Sequence, residues 1–544
     1  MRSTRSDHRA AIVIAAIALI AGACSRETSA GTGGDNGNAW TKPGIVRLAV
    51  NTDVNSFNPI ISRLYIENYV EEGIFSGLVK YDAAGDLVPD LATAVPTVRN
   101  GGISADGKTI TYHLRPDARW QDGVPVTASD VRFTYQLYTD PRSASPVAST
   151  YDRVVAVDTP DAHTVVLHLR APYAPILSNM FCNGAFGEIV PEHILAKSRD
   201  IARDPFDQHP IGSGPYRLVR WDHGTAIILA ANPQYFGGEP KVREIDVEIL
   251  PNSNSQLIGI EAHQLDVVTQ AEPAQIASYR AISGVRVTLA PTQAETFLSY
   301  NLTRAPFDDI RVRRALAMAL DRTRIAQTGF VGTAVPAQTL IPPTNWAYDA
   351  DNGAVPFDPS GAARLLDAAG WRVGPDGIRT RAGRRFEFGL VHSTSQIANT
   401  VSEEIERTWT ALGADVHLRT APRNVLVGDI EPNGAFDVDL DAVGFDADPD
   451  RSQYTETAFE EPHGSNIARY SDADVDRWTV AALTTYDRAQ RRHYYALIQR
   501  RLNRDLPYVP IAWEQFVYVE NTDLRGLEPE TVNSDFWNVQ DWTI

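Results

Sequence analysis

The chain has 544 residues, of which 43% are hydrophobic and 9% aromatic, values typical of a globular protein with room for two or three domains. Its formal net charge of −18 excludes a general nucleic-acid binder, because such proteins need a basic face for phosphates. We therefore expect no nucleic-acid partner.

The N-terminal residues predict export from the cytoplasm. Arg2, Arg5 and Arg9 precede an apolar run, Ala10 to Ile20, and small residues follow, as in a secretory signal. The small residues before Cys24 resemble the lipobox of bacterial lipoproteins. This resemblance implies that residues 1–23 are removed and that Cys24 carries lipid, which tethers the protein to a membrane. An ordinary cleaved signal and a short uncleaved anchor are the alternatives.

Residues 24–44 are rich in Gly, Ser, Thr and Asn, and this composition predicts a flexible tether. Folded structure should begin near Ile45. No long apolar run follows, so we expect no further segment to cross a membrane. Of the two cysteines, Cys182 should be a small packed residue.

Apolar periodicity and capping signals predict alternating strands and helices. The capping pattern of Thr127 and Asp130 predicts a helix from Val131. In chain order, the predictions are strands over 45–50, 109–114 and 163–169, helices over 310–326, 359–369 and 395–412, and a strand over 415–419. A helix that feeds a short strand indicates an α/β fold.

Several segments, in this order, resemble the solute-binding family that serves peptide, opine and nickel ABC importers, which includes the dipeptide- and oligopeptide-binding proteins. Each segment alone is a weak signal, but together they cover nearly the whole chain after the tether. The segments are residues 77–82, 87–92, 106–115, 120–131, 210–216, 300–316 and 505–511.

The resemblance implies an α/β fold of the bilobal periplasmic-binding-protein type (type II), with an extra subdomain. Lobe I would comprise residues 45–82, 210–301 and 517–544, and the extra subdomain of lobe I would be 83–209. Lobe II would be residues 302–516. The chain would cross between lobes near Asn301 and Phe516, and the solute would be trapped when the lobes close.

The resemblance also implies a function. We expect a monomeric, lipid-anchored receptor outside the cytoplasm that captures peptides for an ABC permease and its ATPase subunits. The alternatives are the same fold binding an opine, oligosaccharide, nickel chelate or antibiotic, and a sensory solute receptor. An enzyme is not expected, because the sequence shows no nucleophile elbow or metalloprotease motif. No cofactor is expected.

The segment that ends at Pro449 is the first candidate site. In peptide binders this loop often reads Asp-Tyr-x-Asp-Pro, and its first Asp holds the α-amino group of the peptide. If Pro449 sets the alignment, Phe445 takes that position and Asp446 lies one place later. Either the loop bulges so that Asp446 is the anchor, or the ligand lacks a free α-amino group. Asp446 as a solvated loop carboxylate is the third interpretation.

Aromatic and polar residues beside segments that border the cleft in the family complete the candidate set. The aromatic candidates can stack on a ligand, although each of them could be a core residue. They are Phe57, Tyr65, Trp346, Phe445, Tyr454 and Trp513. The polar candidates are Asn51, Ser56, His392, Ser393, Ser465 and Asn466. Arg423 and Arg469 are further candidates to bind a carboxylate.

Alternating carboxylates mark the strand before this loop. Asp437, Asp439 and Asp441, with Asp448 further on, are spaced somewhat like a calcium-binding EF-hand loop, but Ala442 replaces the glycine that the turn needs. A strand with one polar face explains the alternation better, so no metal site is predicted.

Overall fold

A computed structural model describes residues 37–460, 464–529 and 535–544. Residues 1–36, and with them Cys24, lie outside this part of the chain. The strands are β1 Ile45–Val50, β2 Val79–Tyr81, β3 Leu87–Pro89, β4 Thr109–His113, β5 Val154–Asp161, β6 Thr164–Leu169, β7 Cys182–Asn183, β8 Tyr216–Asp222, β9 Ala226–Ala231, β10 Glu244–Ile249, β11 Val267–Val268, β12 Val285–Tyr300, β13 Ala334–Pro336, β14 Arg372–Val373, β15 Arg379–Arg381, β16 Arg384–Arg385, β17 Glu387–Ser393, β18 Asp415–Ala421, β19 Val438–Gly444 and β20 Tyr508–Asn521.

The α-helices connect these strands. They are α1 Tyr65–Ile74, α2 Ala128–Thr139, α3 Ala148–Tyr151, α4 Ile176–Asn179, α5 Glu192–Leu195, α6 Ser253–Glu261, α7 Ile276–Arg280, α8 Ile310–Met318, α9 Arg322–Gly329, α10 Pro359–Ala368, α11 Gln396–Ala411, α12 Arg423–Val425, α13 Ser452–Thr455, α14 Ala473–Thr484 and α15 Arg488–Asp505. A π-helical turn, Leu426–Ile430, follows α12. Within the described residues, no helix combines the length and the apolar composition that a bilayer span requires.

A large mixed β-sheet is the central element of the fold. Its strand order is β18-β17-β19-β12-β20-β11-β1-β10-β9-β8, and β13 pairs with β20 at the side. β17 runs parallel to β18 and β19, and β1 runs parallel to β10 and β11, whereas β12 and β20 are antiparallel. The predicted α/β class is confirmed.

The long strands β12 and β20 connect the two halves of this sheet. The first part of β12, up to Pro291, pairs with the end of β20, beside β11 and β1. From Ala294 onward β12 lies between β19 and the start of β20. The register slips between Pro291 and Glu295, opposite Gln515 and Trp513, so the ladder is irregular where the halves join. Asn301, one predicted crossing, directly follows β12.

Capping residues explain where several helices begin and end. The Thr127 amide donates to the Asp130 carboxylate at 2.8 Å, as a capping box requires, and the helix begins at Ala128, three residues before the predicted Val131. Ser395 accepts from the N3 amide of α11 at 3.1 Å. Gly413, with φ of +96°, follows α11, a position where residues with a Cβ are strained.

The single helix predicted over 310–326 is wrong, because the structure has two helices there. α8 ends at Met318, and α9 begins at Arg322. Asp321 caps the second helix by accepting from the Arg324 amide at 3.0 Å. An Asp in a helical apolar pattern therefore marked a new N-terminus, since its side chain competes for backbone donors.

Separate apolar cores lie on the two faces and two halves of the sheet. One core joins β1, β8–β10, α1 and the small sheets β3-β2-β7 and β4-β6-β5. A second lies between β12, β17, β19 and α8–α11, where Val401, Ile405 and Trp409 of α11 are fully buried at four-residue spacing. Each such side chain contributes about 1.5–3 kcal/mol by burial.

Candidate ligand cleft

The loop that follows β19, residues 445–451, separates two cavities. The large cavity has about 400 Å³ and lies between this loop and residues 149–179. The small cavity has about 160 Å³ and extends toward α1 and residues 178–186. Both cavities are lined by Phe445 and Asp446 on one side and by Thr150 and Asn179 on the other. The walls thus come from the predicted lobe II and from the predicted extra subdomain.

Asp446 presents its carboxylate to both cavities. The side chain is exposed, and no hydrogen bond or ion pair engages it within the described residues. Water reaches the carboxylate, yet protein atoms crowd around it in the cleft. This desolvation raises the pKa of Asp446, while the nearby Arg451 guanidinium lowers it. A carboxylate held this way can bind a cationic group of a ligand.

Phe445 packs within an aromatic group behind the cavities. Its ring centroid lies 5.4 Å from that of Tyr454 and 6.3 Å from that of Trp513. The side chain is buried, and its exposed edge contributes to both cavity walls. Phe445 therefore supports the shape of the cleft and offers only an edge to a ligand.

Arg451 lies over the Phe445 ring. Its guanidinium carbon is 3.9 Å from the ring centroid, and its Nε donates to the Leu340 carbonyl at 2.9 Å. The residue is 5% exposed and lines the large cavity. Burial lowers the pKa of Arg451, and neighbouring carboxylates, first Glu295, oppose this. Its Nη2 has no hydrogen-bond acceptor among the described residues.

A buried ion pair holds the 445–451 loop against α15. Arg491 Nη2 donates to both carboxylate oxygens of Asp448, at 2.7 and 2.8 Å. Burial lowers the pKa of Arg491, but Asp448 and Tyr495 outweigh it, so the net pKa is raised. The same loop borders a third cavity of about 280 Å³, which Trp346 lines.

Comparisons with known proteins identify the family. The model of "Bacterial extracellular solute-binding proteins, family 5 Middle" matches residues 86–466, well over half of the chain, including the 445–451 loop. The chain belongs to this family. The family consists of extracellular solute-binding proteins, not of enzymes.

The related proteins span almost the whole chain. Protein XP55 of Streptomyces lividans is 29% identical over 511 residues, covering 93% of this chain and 90% of that protein. The oligopeptide-binding protein AppA of Bacillus subtilis is 24% identical over 503 residues, covering 90% of this chain and 89% of AppA. The structure of NikZ from Campylobacter jejuni with Ni(L-His) superposes with a TM-score of 0.74 at 23% identity, covering 93% of this chain and all of NikZ. The bilobal fold expected from the sequence is confirmed.

The structure brings some of the predicted site residues together at the cleft. Tyr65 lines the small cavity, Tyr454 lines the large cavity, and Trp513 packs behind Phe445. Ser465 lies beside Tyr454, whose hydroxyl it contacts. Trp346 belongs to the neighbouring third cavity, where the guanidinium carbon of Arg488 is 5.0 Å from its ring centroid.

Other predicted site residues line none of these three cavities. Phe57 is fully buried against Trp221, with ring centroids 5.1 Å apart. His392 is buried in β17, where its Nδ1 lies 2.9 Å from the Ser393 carbonyl oxygen. Asn466 is fully buried and donates to two backbone carbonyls. The remaining positions are the exposed Asn51, Ser56, which accepts from the Asn58 amide, and the partly exposed Ser393 at the end of β17.

The cavity wall formed by residues 149–179, in the predicted extra subdomain, was not among the predicted site residues. Thr150, Arg153, Tyr173 and Asn179 line the large cavity, yet they occur in short helices and turns without a recognisable pattern. Arg451 could have been predicted from the sequence, because it directly follows the Asp-Pro-Asp of the candidate loop. An arginine beside three carboxylates is a signal that a search for buried ion pairs would find.

Proposed function

We propose that this protein is a membrane-tethered receptor outside the cytoplasm that captures peptides and delivers them to an ABC permease with its ATPase subunits. The observation that carries the proposal is the Asp446 carboxylate, which faces both cavities with no protein partner in the described structure. A peptide amino group there would form a charge-assisted hydrogen bond in a partly desolvated cleft. The family membership and the oligopeptide-binding relative AppA support this choice of solute.

Capture would couple to lobe closure because the cavity walls come from both sides of the cleft. A peptide on Asp446 would also contact Thr150 and Asn179 of the opposite wall. Only interactions stronger in the closed than in the open form favour closure. The permease would then recognise the closed form, and the receptor would act as a monomer.

A lipid on Cys24 would tether the receptor to the membrane. The support is the sequence alone, and Cys24 lies outside the described residues. Metabolic labelling with a radioactive fatty acid tests it: the parent should be labelled, and Cys24→Ser should not. Label that persists in the variant would remove Cys24 as the anchor.

A second candidate function is capture of a non-peptide solute: an opine, oligosaccharide, nickel chelate or antibiotic. The observation that favours it is Phe445, which takes the place of the amino-binding Asp if Pro449 sets the alignment. Its ring contacts both Arg451 and Tyr454. NikZ, whose structure holds Ni(L-His), shows a similar fold around such a chelate. A sensory role would use the same cleft.

Native mass spectrometry of the protein cut before Ala39 tests the proposal, with denaturing release of what co-purifies. A set of short peptides supports it, and a single non-peptide mass supports the second candidate. Peptide binding should then weaken at least about tenfold in Asp446→Asn, as expected for a lost charge-assisted bond. Asp308→Asn, an exposed carboxylate at the start of α8, is the matched control. Equal affinity of Asp446→Asn and the parent would reject Asp446 as the anchor.

A further inference from the structure

Three buried carboxylates converge on one face of lobe II. Asp439 and Asp441 project from the same face of β19, and Glu431 directly follows the π-helical turn. One oxygen from each of the three lies within 4.8 Å of the other two. Their exposures are 0% for Asp439, 6% for Asp441 and 7% for Glu431, so these charges are largely removed from water.

The unsatisfied carboxylate of Asp439 is a second, independent indication that this cluster binds a ligand. Neither of its carboxylate oxygens receives a hydrogen bond from any described residue, although the side chain is fully buried. Its cross-strand neighbour Ser299 is also fully buried, with a hydroxyl that has no partner in the same part of the chain. Buried polar groups are nearly always satisfied, so this arrangement calls for a ligand.

The spacing and the charge fit a divalent cation. Ca²⁺ binds oxygens at about 2.3–2.6 Å, so two oxygens on opposite sides of one ion lie about 5 Å apart. Because the three oxygens lie within 4.8 Å of one another, all of them can reach one such ion. Arg423 forms an ion pair with Asp441, so a cation would share this carboxylate with the guanidinium. Carboxylate oxygens, once ionised, are the ligands that a hard divalent cation prefers.

We propose that Glu431, Asp439 and Asp441 form a binding site for a divalent cation, with Ca²⁺ as the ion that best suits carboxylate oxygens alone. The ion would tie the π-helical turn to β19, whose last residue, Gly444, directly precedes the 445–451 loop. The site would therefore stabilise the lobe II wall of the cleft, and it does not require a bound solute.

The residues of this site are not the ones that the EF-hand-like spacing of the sequence would select. Asp437 instead accepts from the Gly389 amide and pairs with Arg304, and Asp448 pairs with Arg491. Glu431, which the spacing did not include, comes from another segment. Tertiary structure therefore selects a different set of carboxylates from the same region.

Calcium titration of the solute-free protein after dialysis against a chelator tests the proposal. Calorimetry should show one site with a dissociation constant near or below about 10⁻³ M, and Ca²⁺ should raise the melting temperature more than sodium chloride of equal ionic strength. Asp439→Asn should weaken Ca²⁺ at least about tenfold. Glu387→Gln, in the more exposed cluster with Asp415 and His417, is the matched control and should keep parental affinity.

Two results would overturn the proposal. One is a parent protein that shows neither heat nor stabilisation beyond the salt control. The other is Asp439→Asn with unchanged calcium affinity. If that variant fails to fold, Tb³⁺ luminescence of the parent decides: excitation of the tyrosine and tryptophan side chains of the protein should give a Tb³⁺ emission that Ca²⁺ displaces. Absence of a displaceable signal refutes the site. None of these readouts depends on which solute the cleft captures.

Discussion

Breaking the buried ion pair between Asp448 and Arg491 should destabilise the protein strongly. The two side chains are 5% and 9% exposed, and Nη2 of Arg491 donates to both carboxylate oxygens of Asp448. In Asp448→Ala the Arg491 guanidinium would keep its bonds to the Ala482 carbonyl and the Tyr495 hydroxyl but would lose its counter-charge. Removing one partner of a buried pair costs about 3–5 kcal/mol, because the other charge remains buried. We expect that loss in the free energy of unfolding.

A double-mutant cycle in urea, followed by tryptophan fluorescence, measures the effect. Asp448→Ala with Arg491→Met should lose less than the sum of the single variants, because no unpaired charge remains. Arg142→Met is the control: Arg142 pairs with Asp140, its side chain is 90% exposed, and its loss should leave the free energy of unfolding nearly unchanged. The reasoning fails if Asp448→Ala costs no more than this control, or if the single losses simply add.

Three further predictions concern packing, pH and closure. Gly212→Ala should lower the free energy of unfolding in urea by about 3 kcal/mol, the upper end for overpacking, because a Cβ there would lie 1.9 Å from the carbonyl oxygen of Ile74 at the end of α1. Gly428→Ala, where a Cβ would meet open space, is the control, and equal losses in the two variants would refute the clash. Burial raises the pKa of Glu188 to about 7, so its stabilising contribution is complete below about pH 4.5 and is lost as pH rises through 7. The melting temperature of Glu188→Gln minus that of the parent should therefore be more positive at pH 8 than at pH 5. An equal difference at both pH values would contradict this. Arg488→Ala removes the 2.6 Å ion pair between Arg488 of the predicted lobe II and Asp86 of the predicted extra subdomain. The solute-free protein should therefore expand slightly by X-ray scattering, with solute affinity reduced at most about fivefold, and identical scattering would show that this pair does not hold the two parts together.

Local signals in the sequence were enough to place many elements. The N-cap at Ser395 and the glycine at Gly413 set the ends of α11, because these signals act through neighbouring backbone groups. The break between α8 and α9 was missed, since the apolar spacing continues across it and only Asp321 marks the new start. The pairing of β12 with β20 joins residues about 220 positions apart, and no local pattern encodes it.

The candidate site was only partly accessible from the sequence. The 445–451 loop stood out because Asp446 and Pro449 occur in a recognisable segment. The opposite wall did not, because Thr150 and Asn179 reach the cleft through the packing of the extra subdomain. His392 was a polar candidate for the cleft, but it lies within β17 and is 2% exposed. Strand alternation alone could not decide which face it occupies.

Contacts outside the cavities would affect how much free energy a bound solute has to supply for the proposed lobe closure. The predicted extra subdomain meets the end of α14 through the Ala174 amide, which donates to the Leu483 carbonyl at 2.7 Å, and Tyr486 donates to the Gly107 carbonyl at 3.1 Å. These bonds need no solute, so in the proposed mechanism they would favour closure without one. A solute then has to supply only the remaining difference between the open and closed forms. Weakening these contacts should therefore lower the affinity for every solute by the same factor, whereas a change at Asp446 should discriminate between solutes by their charge.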